Sequence, residues 1–122
     1  MGNNYESIAD IRADAEANEG LITVSLLDLR EALGYKKLGP RVLATIAQEL
    51  EGHGLGYFPK SLLDDNDTPR SHEEVRVFVK NTQLGIIIDS VLSPHEVGDD
   101  RLREVGRDKN AEMIAEIRRL LE

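Results

Sequence analysis

Apolar positions recur along the first eighty residues with helical and strand periods in alternation. In YESIADIRADAEAN, residues 5–18, the residues Tyr5, Ile8, Ile11 and Ala15 follow spacings of three, three and four, which predicts an amphipathic helix stopped by Gly20. LITV, residues 21–24, is a short β-branched run that reads as a strand, and Ser25 is suited to cap the segment behind it. SLLDLREALG then predicts a short second helix with Leu26, Leu29 and Leu33 on one face and Gly34 at its end. After the tight connection GYKKLGP, Pro40 sits in the first turn of a third helix, RVLATIAQELEGHG. Val42 or Leu43, with Ile46 and Leu50, forms its buried face, while Arg41, Thr45, Gln48 and Glu49 point elsewhere.

LGYF, residues 55–58, predicts a strand stopped by Pro59, and the polar run KSLLDDNDTPRSHE has the composition of a loop. EVRVFVK, residues 74–80, alternates strictly, with Val75, Val77 and Val79 on one face and Arg76, Phe78 and Lys80 on the other. TQLGIIIDSVL reads as a helix burying Leu84, Ile87, Ile88 and Val91, and SPHEVGDD as punctuation before a charged C-terminal stretch. From Arg107 to Leu121 a helical period returns through Ala111, Ile114, Ile117 or Arg118, and Leu121.

Composition narrows what such a chain does. Its 122 residues fit one domain of ordinary size, or a small domain with an extension. Hydrophobic residues at 40% and a mean hydropathy of −0.36 allow a core and argue against wholesale disorder. With aromatics at 4% and no Trp, that core is aliphatic, and few rings remain for stacking on single-stranded bases. The absence of Cys removes disulfides, thiol catalysis and thiolate metal sites. MGNNYESIAD offers no basic stretch followed by an apolar one, and no apolar run approaches the length of a bilayer span, so the expectation is a soluble cytoplasmic protein without membrane contact.

Candidate chemistry is sparse. His53, His72 and His95 lie in three separate segments without helical pairing, and His53 suits a helix C-terminus. The DDNDT run resembles a calcium loop but lacks the Gly at the bend and the closing Glu. Ser25, Ser61 and Ser90 stand in no nucleophile elbow, and GHGLG precedes no helix that would cradle phosphate. No metal, cofactor or catalytic residue is expected, and the chain does not read as an enzyme.

The stretch LITVSLLDLREALGYKKLGPRVLATIAQELEGHGLGYFP, in the order helix, strand, helix, turn, helix, strand, loop, strand over residues 5–80, resembles the winged helix-turn-helix superfamily. The resemblance lies in pattern and element lengths. It implies an α+β fold of three helices with a small antiparallel sheet and wing, in a domain over residues 1–80. A helical extension over 81–122 lies outside it. In that superfamily the third helix enters the major groove and the wing touches backbone or minor groove. The resemblance therefore implies a recognition helix over 40–51, a wing over 59–73, and double-stranded DNA as partner of a small transcriptional regulator.

Charge bears on this. The net charge of −8 has the wrong overall sign for coating nucleic acid. Residues 1–33 hold Arg12 and Arg30 against seven acids, whereas residues 34–60 hold Lys36, Lys37, Arg41 and Lys60 against Glu49 and Glu51. Only the turn and the start of the third helix are positive, where phosphates and the first base edges would be met. Lys36, Lys37 and Lys60 are thus candidates for phosphate contact, and Arg41, Thr45 and Gln48 for base edges, Arg favouring guanine and Gln adenine. Asp64, Asp65 and Asp67 make the wing acidic, with Arg70 the one cation at its tip. A small footprint, strong salt sensitivity and little non-specific binding by one monomer follow from that distribution, so that a dimer is needed for useful affinity. The alternative is a winged-helix protein-interaction module whose acidic surface is the interface. Met113, Ile114, Ile117 and Leu121 either form a homodimer interface or pack over the first helix.

Overall fold

The computed structural model of the chain describes residues 5–64, 66–107, 115 and 118–121. It divides into two compact units, Met1–Gly85 and Ile86–Glu122. Among the described residues the architecture is α+β, with α-helices, one short 3-10 helix and a three-stranded antiparallel sheet.

The first unit is built from α1 (Ile8–Ala17), β1 (Leu21–Ser25), α2 (Leu26–Ala32), α3 (Pro40–Gly52), β2 (Leu55–Phe58), a 3-10 turn (Lys60–Leu62) and β3 (Glu74–Val79). Ser7 caps α1, its hydroxyl accepting from Asp10 N at 3.2 Å. Ser25 caps α2 in a reciprocal box: Asp28 N donates to the Ser25 hydroxyl at 3.0 Å, and Asp28 Oδ2 accepts from Ser25 N at 3.0 Å. Strand order is β1-β3-β2, so the last strand in sequence lies in the middle. Leu21 faces Phe78 and Val24 faces Val75 across one ladder; Gly56 faces Phe78 and Tyr57 faces Val77 across the other.

Three helical stripes and one sheet face close the core. Tyr5, Ile8, Ile11 and Ala15 from the start of the chain and α1, Leu26, Leu29 and Ala32 from α2, and Leu43, Ile46 and Leu50 from α3 are buried against Val24, Leu55, Tyr57, Val75, Val77 and Val79. Leu43 rather than Val42 is the residue fully inside, and Leu33 is only half-buried, with Ala32 taking the inward position. Arg12 ties α1 to the end of α3 through a hydrogen bond from Nη1 to His53 O and pairs with Glu16 at 3.4 Å. His53 caps the C-terminus of α3.

Phe78 lies, as the alternation expects, on the face of β3 opposite Val75, Val77 and Val79, and that position is also buried. Phe78 is 1% exposed. Directly opposite it stands Gly56, where a Cβ would come within 2.2 Å of the ring, so the missing side chain on β2 makes the space the aromatic occupies. Phe58 adds a tilted ring contact at 6.0 Å between centroids.

Helix α4 (Gln83–Leu92) runs across the division between the units. Thr82 starts it, its Oγ1 donating to Val79 O at 2.8 Å and accepting from Gly85 N at 2.9 Å. Of the positions expected inside, Leu84 and Val91 are exposed and Ile87 and Ile88 half-buried; Gly85 and Ser90 are the buried ones. At Gly85 a Cβ would lie 2.1 Å from Val79 O, so this turn of the helix rests on the backbone at the end of β3.

In the second unit, SPHEVGDD is not a simple break. It leads into α5 (Glu96–Val105), capped by His95, whose Nδ1 accepts from Gly98 N at 2.6 Å. Imidazole is an uncommon cap compared with Ser, Thr, Asp or Asn, so the sequence carries no familiar start signal for this helix. Gly98 packs under the His95 ring and beside Ser90, which donates to Ile86 O at 2.8 Å. Most of the helix expected over 107–121, including Ala111, Met113, Ile114 and Ile117, lies outside the described residues; Leu120 and Leu121 are helical and exposed.

Candidate nucleic-acid interface

The α2–α3 connection and the exposed side of α3 carry the basic residues singled out in the sequence. Leu33 closes α2, and Arg30 reaches forward to donate from Nη1 to Lys36 O at 3.3 Å, bracing the turn. Lys36 and Lys37 are exposed in that turn. Helix α3 then begins with Gly39 as N-cap and Pro40 in its first turn, and no side chain caps it, unlike α1 and α2. Its first-turn N–H groups therefore have no side-chain partner from the cap position.

Leu43, Ile46 and Leu50 fix which way α3 faces, and Arg41 and Gln48 come out on the opposite side, both exposed. Thr45 is half-buried and its hydroxyl donates to Arg41 O at 3.1 Å, which commits its proton to the helix backbone. Lys60 lies at the start of the β2–β3 loop, its Nζ 5.8 Å from the centre of the Tyr57 ring. Arg70 is exposed further along that loop, where its N–H donates to Glu73 Oε1 at 2.9 Å. The fold thus brings Arg41 and Gln48 onto one stripe behind Lys36 and Lys37, and leaves Lys60 and Arg70 on a separate element.

Arg12, Arg30, Lys80 and Arg103 each pair with a carboxylate, Lys80 with Glu51 at 3.8 Å. Among the described residues, Lys36, Lys37, Arg41, Lys60 and Arg70 form no ion pair.

Beside α3 lies a feature that periodicity could not reveal. Pro40 and Ala44 form one wall of a cleft of about 350 Å³, and Leu63, Asp64, Asn66 and Asp67 form the other. Leu63 is buried and anchors the loop. Tyr57 donates from its hydroxyl to Asp64 Oδ1 at 2.6 Å, Asp64 N donates to Lys60 O at 2.8 Å, and Asn66 Nδ2 donates to Leu62 O at 2.9 Å. Burial pushes the Tyr57 phenol above the ordinary tyrosine range, with the Asp64 hydrogen bond and the charges of Asp64 and Glu51 adding to it. The phenol therefore stays a donor at neutral pH. Asp65 lies outside the described residues.

Among the described residues no three His, Asp or Glu side chains converge as metal ligands, and no helix is long and apolar enough to cross a membrane. Comparison of the chain with protein-family models, with curated proteins and with solved structures finds no match.

Proposed function

We propose that the chain is a winged helix-turn-helix protein that binds double-stranded DNA, as a small transcriptional regulator, presenting α3 to the major groove. The observation that carries this reading is the uncapped N-terminus of α3, flanked by the exposed, unpaired Lys36, Lys37 and Arg41 in a chain of net charge −8. An acidic protein that keeps its local excess of cations at an open helix N-terminus has there the charge and the N–H donors that a phosphate takes. The sheet order β1-β3-β2 behind three helices is compatible with that fold. Arg41 is assigned to a guanine edge, Gln48 to an adenine edge, and Lys36 and Lys37 to phosphates.

Mobility shift on mixed genomic fragments, at low and at raised salt, tests the proposal. Retention at low salt that falls steeply as salt rises is the expected result; no retention at low salt overturns it. Given binding, Arg41→Ala should relax sequence preference, whereas Lys37→Ala should weaken all sequences evenly. A second reading, a winged-helix protein-interaction module, draws on Asp64 and Asp67 beside the same helix. It predicts no DNA binding at any salt concentration.

A further inference from the structure

We propose that His95 is a pH-sensitive latch on α5: as neutral imidazole it holds the first turn of the helix closed, and protonation in mild acid opens that turn. The latch lies in the second unit and is independent of what α3 binds.

Hydrogen-bond geometry fixes which protonation state closes it. Nδ1 of His95 accepts from Gly98 N at 2.6 Å, so in the closed turn this nitrogen carries a lone pair and the ring proton sits on Nε2. A second proton goes to Nδ1, where it confronts the Gly98 N–H and leaves two donors without an acceptor. No neighbouring side chain takes over through a capping box. In α2 the residue three after the cap is Asp28, which answers Ser25 reciprocally; in α5 that residue is Gly98, which has no side chain. The bare glycine also makes room for the ring, since a Cβ there would come within 2.6 Å of His95 Cε1 and 3.2 Å of Ser90 Cβ on α4. His95 is nonetheless exposed, so protons reach it from solvent.

The surroundings do little to hold an imidazolium in place. From α4, Ser90 meets this turn uncharged, its hydroxyl donating to Ile86 O at 2.8 Å. The first turn of α5 carries Glu96 and Asp99, both exposed. Among the described residues neither of these, nor Asp89 on α4, forms an ion pair with the ring, and Asp100 pairs with Arg103. Attraction from such exposed carboxylates is screened by water, whereas the helix N-terminus disfavours a cation directly. Packing does not compensate either: of the ten residues of α5 only Gly98 is buried, and Val97 is 61% exposed. A short polar helix is marginal without caps, so losing this one frees its start.

Histidines of the first unit are placed differently. His53 ends α3 with Nδ1 2.9 Å from Glu49 O, a carbonyl to which a ring N–H donates, so protonation leaves that contact intact. His72 is exposed in the β2–β3 loop.

Amide hydrogen exchange of the intact protein by NMR, read as protection factors at about pH 8 and about pH 5.5, tests the latch on either side of the ordinary imidazole titration. Ile46, fully buried in α3, reports whether the first unit stays folded. Protection of Gly98 should fall about three- to tenfold at the lower pH, the range expected for a lost helix cap, while Ile46 changes by less than about twofold. His95→Asn, which caps without titrating, should keep Gly98 equally protected at both pH values, and His95→Ala should leave it low at both. Gly98 protection that is flat across pH in the intact protein, or absent at about pH 8, overturns the latch. So does a fall that persists in His95→Asn, or one matched at Ile46. Nitrogen chemical shifts of the His95 ring supply a second measurement: Nδ1 should be unprotonated at about pH 8, and a proton there overturns the assignment.

Discussion

Helices α3 and α4 are both rich in aliphatic residues, yet they meet their surroundings in opposite ways. In α3 the stripe Leu43, Ile46 and Leu50 is fully buried and the polar positions Arg41 and Gln48 face water. In α4, whose sequence QLGIIIDSVL is apolar nearly all round, Gly85 and Ser90 are buried while Leu84, Ile86 and Val91 are exposed. A stripe confined to one side orients a helix by the free energy of burying it, because every other rotation exposes apolar area. Where apolar residues surround the axis that term is nearly flat and selects no face. The first turn of α4 rests on Val79 O at the one position that lacks a Cβ.

The contrast can be broken at three points. The largest effect is expected from Leu50→Ala, which empties a fully buried site under α3 and should cost about 2–5 kcal/mol in denaturant unfolding. A cost below about 1 kcal/mol would mean that the stripe does not orient α3. Next comes Gly85→Ala, conservative in sequence terms and favourable for helix propensity. The added methyl meets Val79 O and the Lys80 backbone, so a loss of about 1–3 kcal/mol is expected where propensity alone forecasts a gain. A raised melting temperature for this variant would show that the approach of Gly85 to the end of β3 leaves room for a side chain. The smallest effect is expected at Val91, which is 60% exposed: Val91→Ser should change stability by less than about 0.5 kcal/mol. A larger loss that grows with protein concentration would reveal a second copy covering this face.

The same physics governs how much of the candidate interface was legible. Arg41 and Gln48 could be placed together because both belong to a regular helix whose buried stripe is visible in sequence. Lys36 and Lys37 followed from adjacency. Thr45 was placed on the same side, but its rotation leaves it half-buried with its hydroxyl turned to Arg41 O, a local competition between side chain and backbone that composition does not report. The acidic loop was visible as DDNDT, yet its approach to Pro40 and Ala44 was not. That approach depends on the Tyr57 hydroxyl and on Leu63 reaching the core, contacts made across turns with no period to read.

Phe78 and α5 mark the other limit. Strict alternation in β3 sets Val75, Val77 and Val79 on one face and Phe78 on the other, but a single strand carries no information about the glycine on the next one that makes room for Phe78 to be buried. In α5, Pro94 and Gly98 read in sequence as breakers, while in the fold the His95 ring supplies the cap and Gly98 the room for it.

Local pattern by itself determined the succession of helices and strands in the first unit, their inward stripes, the Ser25 cap and the position of the cationic turn, since each depends on residues within one or two turns of one another. Tertiary structure alone decided the strand order, the burial of Phe78, the close approach of Gly85 to the end of β3 and the meeting of the acidic loop with α3. These hinge on which backbones can approach one another and on contacts between residues far apart in the chain, and such terms are absent from any periodicity.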